Sequence, residues 1–299
     1  MNWRRRQLLI SKCPHAVLVD HCSRAFVLPV ISAFDVHLYG EGDSFASVEN
    51  YWSTVGSVKN MPAQGCLYPG DSETTRCGTE IAYAFDLLTG GGQYCYLDWR
   101  LWPKKFPYAA GAKAIELLFV KTYNLAQFYF GMYESTPYYF ARSAEIFSTT
   151  TPGTYATVYE NTTWKECLVV AANTGKAATN TSIVFHQMKN IPALAGEHPL
   201  AVYDVGLRSV RIAQGSGVAD LFTNLPVGPS QVRLFSVRGT PRNALCHLWG
   251  GKRISEAWDR SHDKLLLQIH GPAGLEDRVV LGSDGLGVKH VMVDRSPAQ

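Results

Sequence analysis

Two short apolar segments of this chain each end in a carboxylate. Phe34–Gly42, FDVHLYGEG, ends at Glu41 between two glycines, and Gln93–Trp99, QYCYLDW, ends near Asp98 among aromatic residues. Glycines allow tight turns and a close approach of a ligand to the backbone. Two carboxylates that flank a glycosidic bond can act as acid/base and as nucleophile or base for water. We therefore take Glu41 as the first candidate catalytic residue and Asp98 as the second.

Polar and aromatic residues beside these carboxylates are candidates for substrate binding. An aromatic ring stacks on the face of a sugar, and an arginine can hold a carboxylate or hydroxyl groups. A structural role stays open for both acids: Glu41 can cap a turn, and Asp98 can pair with a nearby arginine or lysine. The candidate substrate-binding residues are Asp20, His21, Trp99, Arg100 and Trp102.

The first half of the chain alternates short apolar runs with segments of helical periodicity. Helices are predicted over Asn2–Ser11, Glu73–Leu88 and Gly111–Phe130. Such alternation predicts a parallel sheet covered by helices, and catalytic groups of barrel enzymes lie at the carboxyl ends of the strands. About four β/α units predict the second half of a (β/α)8 barrel. The predicted strands are Ala16–Asp20, Ile31–Tyr39, Gln64–Tyr68 and Gln93–Asp98.

After the turn-rich stretch that begins near Ser148, short alternating runs replace this pattern and predict an antiparallel β-sandwich. We expect three domains: a partial barrel over 1–147, a sandwich over 148–239, and a small β module or sandwich extension over 240–299. The fold class is thus multidomain, α/β followed by all-β. The sandwich strands are predicted at Tyr155–Tyr159, Glu166–Ala172, Thr181–His186, Ala201–Asp204, Val218–Leu221 and Gln231–Val237.

Several segments resemble the C-terminal part of barrel-type glycoside hydrolase-like proteins of bacteria, over Pro14–Val237. The segments are PHAVLVDHCS, SAFDVHLYGEGDSF, GTEIAYAFDLLTGGGQYCYLDWRLWP, ECLVVAANTG and DLFTNLPVGPSQVRLFSV. The resemblance implies carbohydrate processing, with Glu41 at a strand end facing the sugar site. It also implies an N-terminally incomplete catalytic domain, whose barrel a partner or a missing N-terminal segment would complete.

Composition argues against several other classes. A net charge of +3 does not favour nucleic acid, and seven cysteines without a CxxC pair favour neither a disulfide framework nor a zinc site. The scattered histidines fit exposed or hydrogen-bonded roles. We expect no cofactor, no metal and no membrane partner. The sequence contains no recognisable signal peptide or membrane-spanning run. The localisation therefore stays open, and a secreted or periplasmic parent protein is one of the alternatives.

The carboxylates and the resemblance predict a glycoside hydrolase-like protein with a carbohydrate substrate. If the barrel is incomplete, we expect this chain to be inactive on its own. The alternative is a non-catalytic carbohydrate-binding or scaffold protein. In that case the β modules carry the binding through aromatic residues such as Trp164, Trp249 and Trp258.

Overall fold

The computed structural model is built mostly from strands, with few helices. It describes residues 2–16, 18–22, 36–39, 47–55, 63–65, 76–90, 92–93, 122–123, 125–195, 199–213, 217–241, 243–272, 277–283 and 291–292. Helix α1 spans Asn2–Lys12, as predicted to within a residue. Within these ranges, no helix has the length and apolar character needed to cross a membrane.

The first sheet contains four short parallel strands in sequential order. They are β1, Val19–Cys22; β2, Val36–Tyr39; β3, Ala63–Gly65; and β4, Gly92–Gln93. Each strand pairs with the next in the order β1-β2-β3-β4. The predicted parallel pairing is confirmed, and in the described part of the chain the sheet does not close into a barrel.

Helices follow these strands along the chain. Helix α2 is Val48–Val55, α3 is Arg76–Thr89 and α4 is Leu125–Phe130. The helix predicted over Glu73–Leu88 is thus confirmed in its main part. The helix predicted over Gly111–Phe130 is described only in its last turns, because most of that range lies outside the described residues.

The second sheet is antiparallel and has six strands in the described part of the chain. The strands are β5, Thr136–Tyr138; β7, Thr154–Asn161; β8, Glu166–Asn173; β11, Leu200–Asp204; β12, Ser209–Ala213; and β14, Val232–Gly239. Their order in the sheet is β12-β11-β14-β8-β7-β5. The edge strand β5 precedes residue 148, so the sheet begins ahead of the predicted sandwich.

Smaller antiparallel pairs surround this sheet. Strand β6, Phe147–Thr149, pairs with β10, Ile183–Phe185, and β9, Thr179–Thr181, pairs with β13, Leu225–Val227. Short 3-10 helices span Met132–Glu134 and Met188–Asn190.

Towards the C-terminus, β15, Leu245–Trp249, pairs with β18, Val280–Ser283, and β16, Lys252–Asp259, forms a hairpin with β17, Lys264–His270. The predicted strand Val218–Leu221 is wrong, since Gly217–Asp220 forms a helical turn, α5. A four-residue apolar run does not distinguish a strand from a buried helical turn.

Both faces of the inner strands of the six-stranded sheet are buried, and β8 shows this most clearly. All eight residues of β8 are buried. Leu168 and Val170 pack with residues of α3 and α4, whereas Cys167 and Val169 belong to a second cluster with β6 and β10. Successive side chains of a strand point to opposite faces, so β8 contributes to two cores at once.

Candidate functional site

The carboxyl ends of the four parallel strands lie at one edge of their sheet. Cys22 is paired with Tyr39, Tyr39 with Gly65, and Gly65 with Gln93. These residues are the last of β1, β2, β3 and β4. The chain therefore leaves all four strands from the same edge, which is where α/β proteins bind their ligands.

Both predicted catalytic carboxylates follow this edge in sequence. Glu41 comes two positions after the end of β2, and Asp98 comes five positions after the end of β4. Both lie outside the described residues, as do Trp99, Arg100 and Trp102. Their roles stay predictions.

Asp20 and His21 lie within β1, which continues to Cys22 beyond the predicted end of the strand. In the parallel register Asp20 is level with His37, and His21 is level with Leu38. The backbone thus places both residues in the last three positions of β1, next to β2.

A buried carboxyl group that the sequence did not single out lies on α3. Asp86 is fully buried, and the hydroxyl of Tyr51 on α2 donates a 2.8 Å hydrogen bond to its Oδ1. Its Oδ2 has no hydrogen-bond partner among the residues that the structure describes. Burial raises the pKa of Asp86 to about 8, against the lowering effect of the bond from Tyr51. The group is therefore protonated at neutral pH.

Two hydroxyl groups from β7 cap the C-terminal end of α3. The Thr157 hydroxyl donates to the carbonyl oxygen of Leu88 at 2.8 Å, and the Tyr159 hydroxyl donates to that of Leu87 at 2.6 Å. These bonds satisfy carbonyls that a helix end leaves unpaired. The negative end of a helix disfavours a second negative charge, which agrees with a neutral Asp86.

The three tryptophans proposed for sugar binding differ in their exposure. Trp249 is only 6 % exposed and packs edge-on against Tyr129 in the core. Trp164 has the guanidinium of Arg253 4.9 Å from its ring centre. Trp258 is half-buried. A buried ring offers no face to a sugar, so Trp249 does not serve as a binding platform.

A buried ionic network occupies the junction of β8, β15 and β16. Arg253 donates to the Glu166 carboxylate at 2.8 Å and to the His247 carbonyl at 2.7 Å. Desolvation, with a further contribution from Arg253, lowers the pKa of His247 to about 4, so the imidazole is neutral. Throughout the described ranges, no group of three or more His, Cys, Asp or Glu side chains is placed to hold a metal ion.

Comparison with known proteins gives structural matches only. No protein-family model matches the chain, and no curated protein matches it. The noncanonic maltogenic alpha-amylase AmyB from Thermotoga neapolitana matches with a TM-score of 0.47 at 10 % identity, over 78 % of this chain and 57 % of the amylase.

Two other glycoside hydrolases match at similar coverage. The GH30 endoxylanase from Clostridium papyrosolvens has a TM-score of 0.32 and 14 % identity, over 72 % of this chain and 51 % of its own. The GH27 β-L-arabinopyranosidase from Geobacillus stearothermophilus, in complex with arabinose, has a TM-score of 0.38 and 10 % identity, over 73 % and 50 %. The chain thus spans about half the length of the solved structures it matches.

Proposed function

We propose that this chain is a glycoside hydrolase-like protein that acts on a carbohydrate through carboxylates at strand ends. The observation that carries the proposal is the common edge formed by the carboxyl ends of β1 to β4. In the sequence, Glu41 comes two positions after the end of β2, and Asp98 comes five positions after the end of β4. Carboxylates at one such edge are the minimal requirement for acid/base hydrolysis of a glycosidic bond.

Glu41 and Asp98 then form the catalytic pair, one as acid/base and the other as nucleophile or as base for water. A separation of roughly 5–5.5 Å between the carboxyl groups gives retention, and about 6.5–9.5 Å gives inversion. Asp20, His21, Trp99, Arg100 and Trp102 line the sugar site in this proposal.

The proposal includes a domain arrangement. Residues 1–147 form part of a (β/α)8 barrel, residues 148–239 a β-sandwich, and residues 240–299 a small β module. A parallel sheet is normally covered on both faces and continued at its edges. Further β/α units, from the same chain or from a partner, complete the barrel.

Hydrolysis of aryl glycosides and disaccharides by the protein, purified together with the segment or partner that completes the barrel, tests the proposal. Replacing Glu41 with Gln, or Asp98 with Asn, removes the ionisable group and should lower kcat/KM by about 10²–10⁴-fold. Glu145→Gln, at an exposed carboxylate, is the control and should leave the activity unchanged. Full activity of the Glu41→Gln variant would remove Glu41 from the mechanism.

The second candidate function is non-catalytic carbohydrate binding. It is favoured by a cleft in the antiparallel part of the molecule, bordered by Asp204 and Arg233 and lined by both apolar and polar groups. An absence of hydrolysis with every substrate, together with binding of the same sugars, would select this function over the first.

A further inference from the structure

A cleft of about 620 Å³ opens at one end of the six-stranded sheet. Its volume falls in the range of about 300–1,000 Å³ that small-molecule sites occupy. It lies between the β9–β13 pair, the start of β14 and the turn after β11. The residues that define its chemistry are Asn180, Asp204, Leu207, Pro226, Gln231 and Arg233.

A buried ion pair, whose positive and negative charges cancel, borders the cleft. Arg233 and Asp204 are buried and paired with each other. Arg233 also donates to the carbonyl of Pro226 at 3.2 Å, and Asp204 accepts the backbone N–H of Leu207 at 2.9 Å. Among the described residues that line the cleft, no other is charged. Its lining has no net charge, so it attracts neither anions nor cations over neutral molecules.

Hydrogen bonds hold one wall of the cleft in place. The Gln231 side-chain oxygen accepts the N–H of Gly228 at 2.6 Å. The Asn173 amide donates to the carbonyls of Gly228 at 3.0 Å and Ala177 at 2.8 Å. Because these bonds fix the loop before any ligand arrives, binding loses little conformational entropy.

The cleft also presents polar groups that remain available to a ligand. The oxygen of Gln231 is used by the loop, which leaves the two N–H bonds of its amide nitrogen. Asn180 is exposed and lies opposite Pro226 in the register of β9 and β13. Leu207, 67 % exposed, adds an apolar surface. Amide groups can hydrogen-bond to the hydroxyl groups of a sugar ring, and small apolar surfaces can pack against its aliphatic C–H groups.

We propose that this cleft binds a neutral polyhydroxylated ligand of one or two sugar rings. The described residues that line the cleft include no aromatic side chain, which argues against a flat aromatic ligand, and the paired charges argue against an ionic one. The proposal deepens the second candidate function, carbohydrate binding, and does not depend on hydrolysis at Glu41. Recognition uses the amide groups of Asn180 and Gln231, with aliphatic contacts in place of a tryptophan platform.

Saturation-transfer NMR titration of the full chain tests the proposal, with maltose, xylobiose and cellobiose as probes. The cleft variant is Asn180→Ala/Leu207→Ser, and the matched control is Gln268→Ala/Leu266→Ser on β17. Both pairs combine an exposed amide with an exposed leucine, Leu207 being 67 % and Leu266 58 % exposed. An unchanged thermal midpoint shows that each variant remains folded.

We expect at least one probe to bind the wild-type chain, and the cleft variant to bind it about tenfold more weakly, equivalent to about 1.4 kcal/mol. The control variant should bind like wild type. Lack of binding by every probe, equal binding by the cleft variant, or tighter binding of glucuronate or glucosamine would overturn the proposal. Loss of binding only in Glu41→Gln would place the sugar at the parallel-sheet edge, and would leave the hydrolytic proposal intact.

Discussion

Ionisation of the buried Asp86 should make the stability of this protein fall as the pH rises. The folded-state pKa of Asp86 is raised from 3.8 to about 8. Between these values the folded state keeps a proton that the unfolded state has released, so the free energy of unfolding decreases with pH. Below about pH 4 both states are protonated, and above about pH 8 both are ionised. The effect is therefore confined to that window.

The size of the effect follows from the width of the window. Each pH unit corresponds to about 1.36 kcal/mol, so from pH 5 to pH 8 this group alone removes up to about 4 kcal/mol. That is a large part of the roughly 5–15 kcal/mol that stabilises a typical domain. Asp86→Asn keeps the shape of the side chain and removes its titration, so it should abolish this part of the pH dependence.

Urea unfolding at pH 5, 6, 7, 8 and 9, followed by circular dichroism and tryptophan fluorescence, measures the difference. The curve of unfolding free energy against pH should be flatter for Asp86→Asn than for wild type between pH 5 and pH 8. Tyr51→Phe removes the hydrogen bond that lowers the pKa of Asp86, and should move the upper end of the window to higher pH. Parallel curves for wild type and Asp86→Asn would refute the reasoning.

Two further predictions concern the C-terminal strands. Arg253→Ala should lower the unfolding free energy, measured by urea titration, by about 3–5 kcal/mol, because it leaves the Glu166 carboxylate buried without its partner. Replacement of the exposed Arg260 with Ala is the control and should leave the unfolding free energy unchanged. Gly250→Ala should lower the thermal midpoint, since Gly250 has φ +95° and an added Cβ would overlap a backbone carbonyl, at a cost of about 1–3 kcal/mol. Gly271→Ala is the control, because its Cβ would meet nothing within 4 Å, and an equal loss there would contradict the steric explanation.

The sequence predicted the elements whose pattern is strong over several residues. The apolar runs that end near Asp20 and Tyr39 indicate parallel strands, and β1 and β2 pair in parallel there. Strand β5 was missed because Thr136–Tyr138 is short and contains Pro137, which sequence patterns associate with turns.

The burial of Asp86 was not predicted, although the sequence carries a signal for it. The helical spacing of Ile81, Ala84, Phe85 and Leu88 predicts a helix with one apolar side. In the structure every residue from Tyr83 to Leu88 is buried. When apolar residues flank a single acidic residue on both sides, the helix is buried on all its faces. The acidic side chain is then buried as well.

The burial of β8 on both faces has a consequence for how the chain unfolds. One hydrophobic cluster contains Tyr51 and Leu87 of the helices together with Leu168 and Leu234 of the six-stranded sheet. It therefore crosses the predicted boundary at residue 148. Buried apolar contacts on both sides of that boundary favour cooperative unfolding of the helices with the sheet. Asp86 lies on α3 beside this shared core, so its ionisation should destabilise the antiparallel sheet as well as the helices, and a single unfolding transition should shift with pH.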